Sequence, residues 1–424
     1  MKYGLIGEHL PHSFSKEIHA QIAAYPYEIK ELAPSELDAF FTQKEFDGLN
    51  VTIPYKQAVI PYLSEIGERA RVIGAINTVI RRGELLYGDN TDFYGMRALL
   101  HTVTPTLSGK KVLILGTGGT SRTARAVAEA ENARETVTVS RTRGDNCVSY
   151  EDAYTYHTDA DAIINTTPCG MFPYPDGGEG RKATPIDLSR FPMLSCVVDA
   201  IYNPLRTNLV LDAQERGIPA SGGLFMLAAQ ALQASLLFRG LASNAETEPS
   251  AEEATRIYRA VECMKENVVL IGMPASGKST VGALLSEELH RPFIDTDKEI
   301  ERKTGRTIPD IFEKDGEQVF RNIESEVITE CAMQSGAIIA TGGGAILREG
   351  NLRALKRNGR LYFLDRPLPE LMPTSDRPLS QTRDALESRY KERYPRYLSA
   401  CDVRIHGQKT ANDAVNAIKK DYFR

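Results

Sequence analysis

The chain has 424 residues, 42% of them apolar and 25% charged, the balance of an ordinary water-soluble globular protein with room for two or three domains. Its net charge of −5 leaves no basic footprint for nucleic acid or an anionic membrane surface. No run approaches the ~20 apolar residues of a membrane span, the N-terminus MKYGLIGEHL is too polar for a signal peptide, and six scattered cysteines without a Cys-x-x-Cys pair suit the reduced thiols of a cytoplasmic protein.

The first predicted element is the strand KYGLIGE, starting at Lys2. A polar turn follows, from His9 to Lys16, and carries Ser13 and Ser15 ahead of a helix expected over Lys16–Ala24. Two hydroxyls two residues apart at a helix start suit the capture of a carboxylate, though such a pair more often marks an N-cap. Next comes Leu49-Asn50-Val51-Thr52-Ile53-Pro54-Tyr55-Lys56, a strand ending in Thr and Pro with a lysine just beyond. Taken alone, that lysine reads as a surface charge. GAINTVI (74–80) and GELLYGDN (83–90) have strand patterns and close on Thr91-Asp92.

A second strand–turn–helix unit is predicted over Lys111–Glu131. KVLILG runs into Gly116-Thr117-Gly118-Gly119-Thr120-Ser121, and a helix is expected over Thr120–Ala130. This is a variant of the dinucleotide-binding turn, with Ser121 where the third glycine is usual. The following strand, TVTVS, ends in Ser140-Arg141-Thr142-Arg143. An NAD site carries an acid there for the ribose hydroxyls; arginine and threonine suit a 2′-phosphate, so NADP is expected. AIINTTP (162–168) and CVVDAIYNP (196–204) continue the α/β alternation, and Gly223 opens the apolar helix LFMLAAQALQASLLF.

After a small polar stretch, Ser250-Ala-Glu-Glu253 reads as a capping box for a helix over Ala251–Met264. The apolar strand Val268–Ile271 then leads without a gap into Gly272-Met-Pro-Ala275-Ser276-Gly277-Lys278-Ser279-Thr280. That is G-x-x-x-x-G-K-[ST] in its strand-to-helix context, a loop whose backbone N–H groups cradle phosphates. Lys278 is placed to reach the β/γ-phosphates, Ser279 to hold Mg²⁺, and the next helix to present its positive end. Phe293-Ile-Asp295-Thr-Asp297 ends a further strand in two acids. Alternate strand residues point to opposite sides, so both acids reach one site only if the strand frays there.

Residues 1–265 resemble shikimate dehydrogenase. The motifs that carry this are Ser13-Phe-Ser15, Asn50-Val-Thr52-Ile-Pro-Tyr-Lys56, Gly74-Ala-Ile-Asn77-Thr, Gly88-Asp-Asn-Thr-Asp92, Gly116-Thr-Gly-Gly-Thr-Ser-Arg122, Asp199-Ala-Ile-Tyr202-Asn-Pro and Gly223 to Gln230. The resemblance implies that Ser13, Ser15, Thr52, Asn77, Tyr202 and Gln230 bind the hydroxylated cyclohexene acid and that Lys56 and Asp92 form the catalytic pair. It implies an NADP(H) site of Gly116, Gly118, Gly119, Thr120, Ser140, Arg141, Thr142 and Gly223. Phe93 and Ser140 depart from the family, which has glycine and asparagine there. The chemistry suits the pair: as hydride reaches a ketone carbon its oxygen must gain a proton, and a lysine held by a carboxylate supplies one.

From Asn267 onward the chain resembles shikimate kinase. Beyond the phosphate loop the match rests on Asp295-Thr-Asp297, Phe320-Arg321, Thr341-Gly342-Gly343-Gly344, Ser375-Asp-Arg377-Pro and Arg393-Tyr-Pro-Arg-Tyr. The resemblance assigns Asp295, with Ser279, to Mg²⁺ and Asp297 to the attacking hydroxyl. Arg321, Arg393 and Gly343 then take the substrate carboxylate. Lys278 and a lid residue, Arg377, act on the transferring phosphate, and Gln408 lies at the adenine of ATP. The segment before Arg377 is shorter than the family's usual lid.

The expected fold class is α/β: a two-lobed dehydrogenase with a Rossmann-type NADP lobe, followed by a P-loop kinase domain with a parallel sheet. Residues 1–100, completed by 223–265, make the substrate lobe, 101–222 the NADP lobe and 267–424 the kinase. The expected function is reduction of 3-dehydroshikimate by NADPH followed by MgATP-dependent phosphorylation of shikimate, with small molecules as the partners. A quinate-accepting dehydrogenase joined to another small-molecule kinase is the nearest alternative. A ligand-sensing chain with one activity lost is another, and it predicts missing catalytic groups, whereas Lys56, Asp92, Lys278, Asp295, Asp297 and Arg377 are all present.

Overall fold

A computed structural model describes the chain apart from residues 12, 142, 145, 174–183, 372–381 and 424. It divides into two compact units, Met1–Val261 and Glu262–Arg424.

Among the described residues the first unit holds two six-stranded sheets. In one, Tyr27–Glu31, Tyr3–Gly7 and Gly48–Val51 run parallel, and the antiparallel pair Thr78–Arg82 and Leu85–Asp89 extends it to the edge strand Glu65–Ile66. The other is wholly parallel, in the order Ala220–Ser221, Cys196–Asp199, Ala162–Asn165, Lys111–Leu115, Glu135–Ser140, Val148–Ser149. Val112 to Leu115 are fully buried because this sheet is covered on both faces, which is why the strand reads as a continuous apolar run. Val112 and Ile114 share a core with Leu99 and Val127, from the helices Asp92–His101 and Gly119–Ala130; Leu113 and Leu115 face Ala153 and Leu209 in another. The helices Asp92–His101 and Leu224–Phe238 pack together, with Met96 and Met226 in the first of these cores.

Several predicted strands are shorter than their apolar runs. Gly74, at φ 68°, caps the helix Glu68–Ile73, so the strand begins only at Thr78. The Asn165 side chain takes the Thr167 N–H at 3.0 Å, and Asp199 Oδ1 takes the Ile201 N–H at 3.0 Å. Side-chain acceptors thus replace the ladder and turn both segments into loops.

The second unit holds one parallel sheet in the order Phe293–Asp295, Ile338–Ala340, Asn267–Ile271, Gly359–Asp365, Val403–His406. Its strand order reverses around Asn267–Ile271, and ligands of open α/β sheets bind at the carboxyl ends of strands at such a point. The phosphate loop begins there. No helix among the described residues is long and apolar enough to cross a membrane, and no disulfide is formed among the described residues.

Candidate active sites

In the first unit Lys56 lies on one helical turn, Tyr55–Ala58, directly after Pro54. Its Nζ donates to Asp92 Oδ2 at 2.6 Å, with the two side chains 19% and 9% exposed. Asp92 opens the helix Asp92–His101, where the helix dipole favours a carboxylate. Thr91 ties this pair to a buried amide network. Asn77 Oδ1 accepts from Thr91 N at 2.7 Å, and Asn77 Nδ2 donates to Thr91 Oγ1 at 3.0 Å and to Gln230 Oε1 at 3.4 Å. Ser13 and Ser15 are joined through their Oγ atoms at 3.1 Å, with Ser15 already the first residue of the helix Ser15–Ile22. Phe14 between them meets the Tyr202 ring edge-on at 5.2 Å. Burial, with the charge of Glu17 adding to it, raises the Tyr202 phenol above its ordinary value, so its O–H stays available as a donor. Thr52 is half-buried and fixed by its N–H to Ile6 O at 3.0 Å.

The glycine turn could hold a phosphate-bearing ligand. Gly118 caps the helix Gly119–Ala130, and a Cβ on Gly118 or Gly119 would meet nothing within 4 Å. These residues leave open space at a helix N-terminus, where a pyrophosphate fits. Thr120 lies in that first turn, and Ser140 ends Glu135–Ser140 with Arg141 exposed just beyond. Gln57, next to Lys56, sets its amide oxygen 2.5 Å from Arg122 Nη1 in the orientation that satisfies both groups. The lysine's turn is thereby held against the helix behind the glycine turn. Gly223 is seated in a packed position, against Ala200 on the way to Tyr202.

In the second unit Gly277, at φ 92°, caps the helix Lys278–Leu289, and Ala275 is also left-handed at φ 63°. Lys278 Nζ donates to Gly272 O and Met273 O, both at 2.9 Å, so its head sits inside the arch of the loop with Ser276 and Gly277. Ser279 Oγ donates to Asp295 Oδ2 at 2.6 Å. Thr280 is exposed in the first turn of the same helix. A hydroxyl beside a carboxylate is the hard-oxygen set that Mg²⁺ takes, with waters and phosphate oxygens completing its shell.

The two acids do not share a frayed strand end. Asp295 is the N-cap of the helix Thr296–Thr304, its Oδ1 accepting from Asp297 N at 3.1 Å, and Asp297 lies in the first turn. Asp297 packs beside the glycine turn, where a Cβ on Gly342 would fall 2.6 Å from its Oδ1. Arg321 donates to Glu324 Oε2 at 2.9 Å and to Glu317 Oε1 at 3.1 Å. Arg393 Nη1 donates to Gly343 O at 3.1 Å, while its buried Nε has no acceptor among the described residues. Arg321 lies against Gly344, so the glycine turn joins the two arginines, and a buried donor without a partner suits an arriving carboxylate. Gln408 is half-buried, with its Nε2 on His406 O at 3.1 Å. Arg377 and Thr142 lie outside the described residues.

Residues 5–79 match the family model of the shikimate dehydrogenase substrate binding domain, and residues 274–422 match that of shikimate kinase. A shikimate dehydrogenase (NADP(+)) of Clostridium perfringens strain 13 is 32% identical over 288 residues, covering 62% of this chain and 98% of the relative. A shikimate kinase of Clostridium botulinum strain Eklund 17B is 42% identical over 161 residues, 37% of this chain and 97% of the relative. The chain belongs to both families. It joins an NADP-dependent shikimate dehydrogenase and an ATP-dependent shikimate kinase in one polypeptide. The crystal structure of a chorismate mutase/shikimate 5-dehydrogenase fusion protein from Clostridium acetobutylicum matches with a TM-score of 0.54 and 32% identity, over 61% of this chain and 96% of that one.

The structure gives contacts to residues for which the sequence patterns named no role. In the dehydrogenase, buried Asp199 accepts from Asn165, Ile201 and Thr207 and so shapes the loop that carries Tyr202. Asn50 donates to Asn77 O and Thr78 Oγ1, and its own Oδ1 is held by Tyr27 O–H at 2.8 Å and His19 Nε2 at 3.2 Å. In the kinase, Glu324 follows Arg321 by three residues, the i,i+3 spacing that could have revealed it. Burial pushes its carboxyl up, with Arg321 pulling the other way.

Two measurements follow from these contacts. Burial lowers His19 from its ordinary 6.5 to about 3, with the Asn50 bond opposing. Its folded pKa lies below its unfolded one, so the unfolded chain binds the extra proton between them. Stability of the dehydrogenase unit is then complete above 6.5 and falls as pH drops toward 3, by up to ~1.4 kcal/mol per pH unit. His19→Gln is expected to flatten that slope in urea melts across the window; an unchanged slope would assign it to other groups. In the kinase, a Cβ at Gly344 would lie 2.4 Å from Arg321 Nη1. Because two carboxylates pin that guanidinium, Gly344→Ala is expected to displace it and raise KM for shikimate about tenfold, the worth of one charge-assisted hydrogen bond. A KM at the wild-type value would show that Arg321 tolerates the shift.

Proposed function

We propose that the dehydrogenase unit reduces 3-dehydroshikimate to shikimate and that the kinase unit phosphorylates this product at its 3-hydroxyl. When bound, NADPH supplies the hydride and MgATP the phosphoryl group. Lys56 Nζ donates a proton to the carbonyl oxygen as it becomes a hydroxyl, and Asp92 keeps that ammonium aimed. Asn77, Gln230 and Thr52 hold the ring hydroxyls, while Ser13, Ser15 and Tyr202 take the carboxylate. Gly116, Gly118, Gly119, Thr120, Ser140, Arg141 and Gly223 would hold NADP(H).

In the kinase unit Arg321, Arg393 and Gly343 orient the carboxylate so that the ring hydroxyl meets Asp297, which accepts its proton. Lys278, with Gly272, Ala275, Ser276, Gly277 and Thr280, would lie along the phosphates, and Ser279 and Asp295 would hold Mg²⁺. A role at the adenine remains for Gln408, and one over the phosphates for Arg377.

The reading rests on one observation above the rest: Lys56–Asp92 and Ser279–Asp295 are each assembled at 2.6 Å. Two separate assays test it. Shikimate with NADP⁺ should yield NADPH without ATP, and shikimate with MgATP should yield ADP and a phosphate ester without NADP⁺. Failure of either assay removes that activity from its unit.

A further inference from the structure

An open pocket of about 510 Å³ lies at the glycine turn of the dehydrogenase and extends beyond the motif residues to Arg125, Thr138 and Asn146. Its described lining is Thr117, Ser121, Arg122, Arg125, Thr138 and Asn146, two cations and four neutral hydrogen-bonding groups, with no acid among these described residues. Arg125 stands on the helix Gly119–Ala130, and its guanidinium donates to Thr138 Oγ1 on the neighbouring strand. Among the described residues neither Arg122 nor Arg125 has a carboxylate partner. Two arginines in one concave site, with no carboxylate against either among the described residues, form an anion seat. The pocket also spans the two places that decide adenosine recognition in this kind of sheet, the glycine turn through Thr117 and the second strand through Thr138.

We infer that Arg125 binds the adenosine 2′-phosphate of NADP(H) from the helix side, opposite Arg141 at the end of the strand Glu135–Ser140. The inference rests on the NADP reading above and adds to it a cation that neither the glycine pattern nor the strand-end Ser140-Arg141 supplies. Arg125 is thereby a residue that separates NADP from NAD, where an acid would serve the free ribose hydroxyls instead.

The test is calorimetric binding to the full chain with two probes, adenosine 2′,5′-bisphosphate and 5′-AMP. Arg125→Gln keeps an amide donor for Thr138 and removes the charge. The expected result is a Kd for the bisphosphate raised about 10- to 100-fold, with 5′-AMP binding unchanged. Arg125→Lys, which keeps the charge without the planar fork, should fall between. If both probes weaken equally, or the bisphosphate is unaffected, Arg125 serves only its bond to Thr138 and the inference is overturned. Should Arg125→Gln not fold, the same two outcomes are read from Arg125→Lys. A wild-type chain that does not prefer the bisphosphate over 5′-AMP would contradict the NADP reading itself, a different failure from the loss of Arg125 alone.

Discussion

Lys56→Ala is expected to lower turnover of 3-dehydroshikimate reduction by roughly 10²–10⁴, with a smaller change in KM and none in phosphorylation of added shikimate. The ammonium lies 2.6 Å from Asp92 Oδ2 and 19% exposed, so it is both held and reachable. Removing it takes away the proposed proton donor and leaves the carboxylate at a helix N-terminus without its cation. The groups proposed to bind substrate, Asn77 and Gln230, are held by Thr91 and by one another and so survive the substitution. Binding and chemistry should therefore separate. Steady-state kinetics of both half-activities on one preparation checks this, and a variant with near-normal reduction would take Lys56 out of the proton-transfer role.

Asp297→Asn is the corresponding substitution in the kinase. It keeps the shape and the hydrogen bond to a hydroxyl but cannot accept its proton, and turnover of phosphorylation should fall by roughly 10²–10⁴ while reduction continues at the wild-type rate. Asp295, which caps the helix through Asp297 N at 3.1 Å and accepts from Ser279 at 2.6 Å, stays in place. The variant therefore separates loss of the proposed base from loss of the proposed metal site. Equal phosphorylation by variant and wild type would mean that the hydroxyl loses its proton elsewhere.

Where chemistry rides on a contiguous pattern, the sequence was readable. Val268–Ile271 leads into Gly272–Ser279 without interruption, and the buried parallel strand and its loop lie where the pattern puts them. The same holds for Lys111–Leu115 and the turn at Gly118. Asp295 and Asp297 were harder, because two acids after an apolar run fit both a frayed strand and an N-cap; hydrogen bonding decides for the cap. Residues that act through distant partners left no sign of those partners. His19 and Asn50 are 31 positions apart, and a single histidine in a helix carries no periodic sign of burial. Asp199 is joined to Asn165 34 positions away. Arg125 is equally silent, since spacing along a helix does not say which strand its face will meet.

The most direct measurement supplies 3-dehydroshikimate, NADPH deuterated at the transferred position and MgATP to the intact chain, with products weighed by mass spectrometry. A bifunctional enzyme predicts shikimate 3-phosphate carrying one deuterium, absent when Lys56→Ala is used and arrested at deuterated shikimate with Asp297→Asn. Deuterated shikimate that accumulates unphosphorylated in the wild type, or NADPH that is never consumed, would contradict the account.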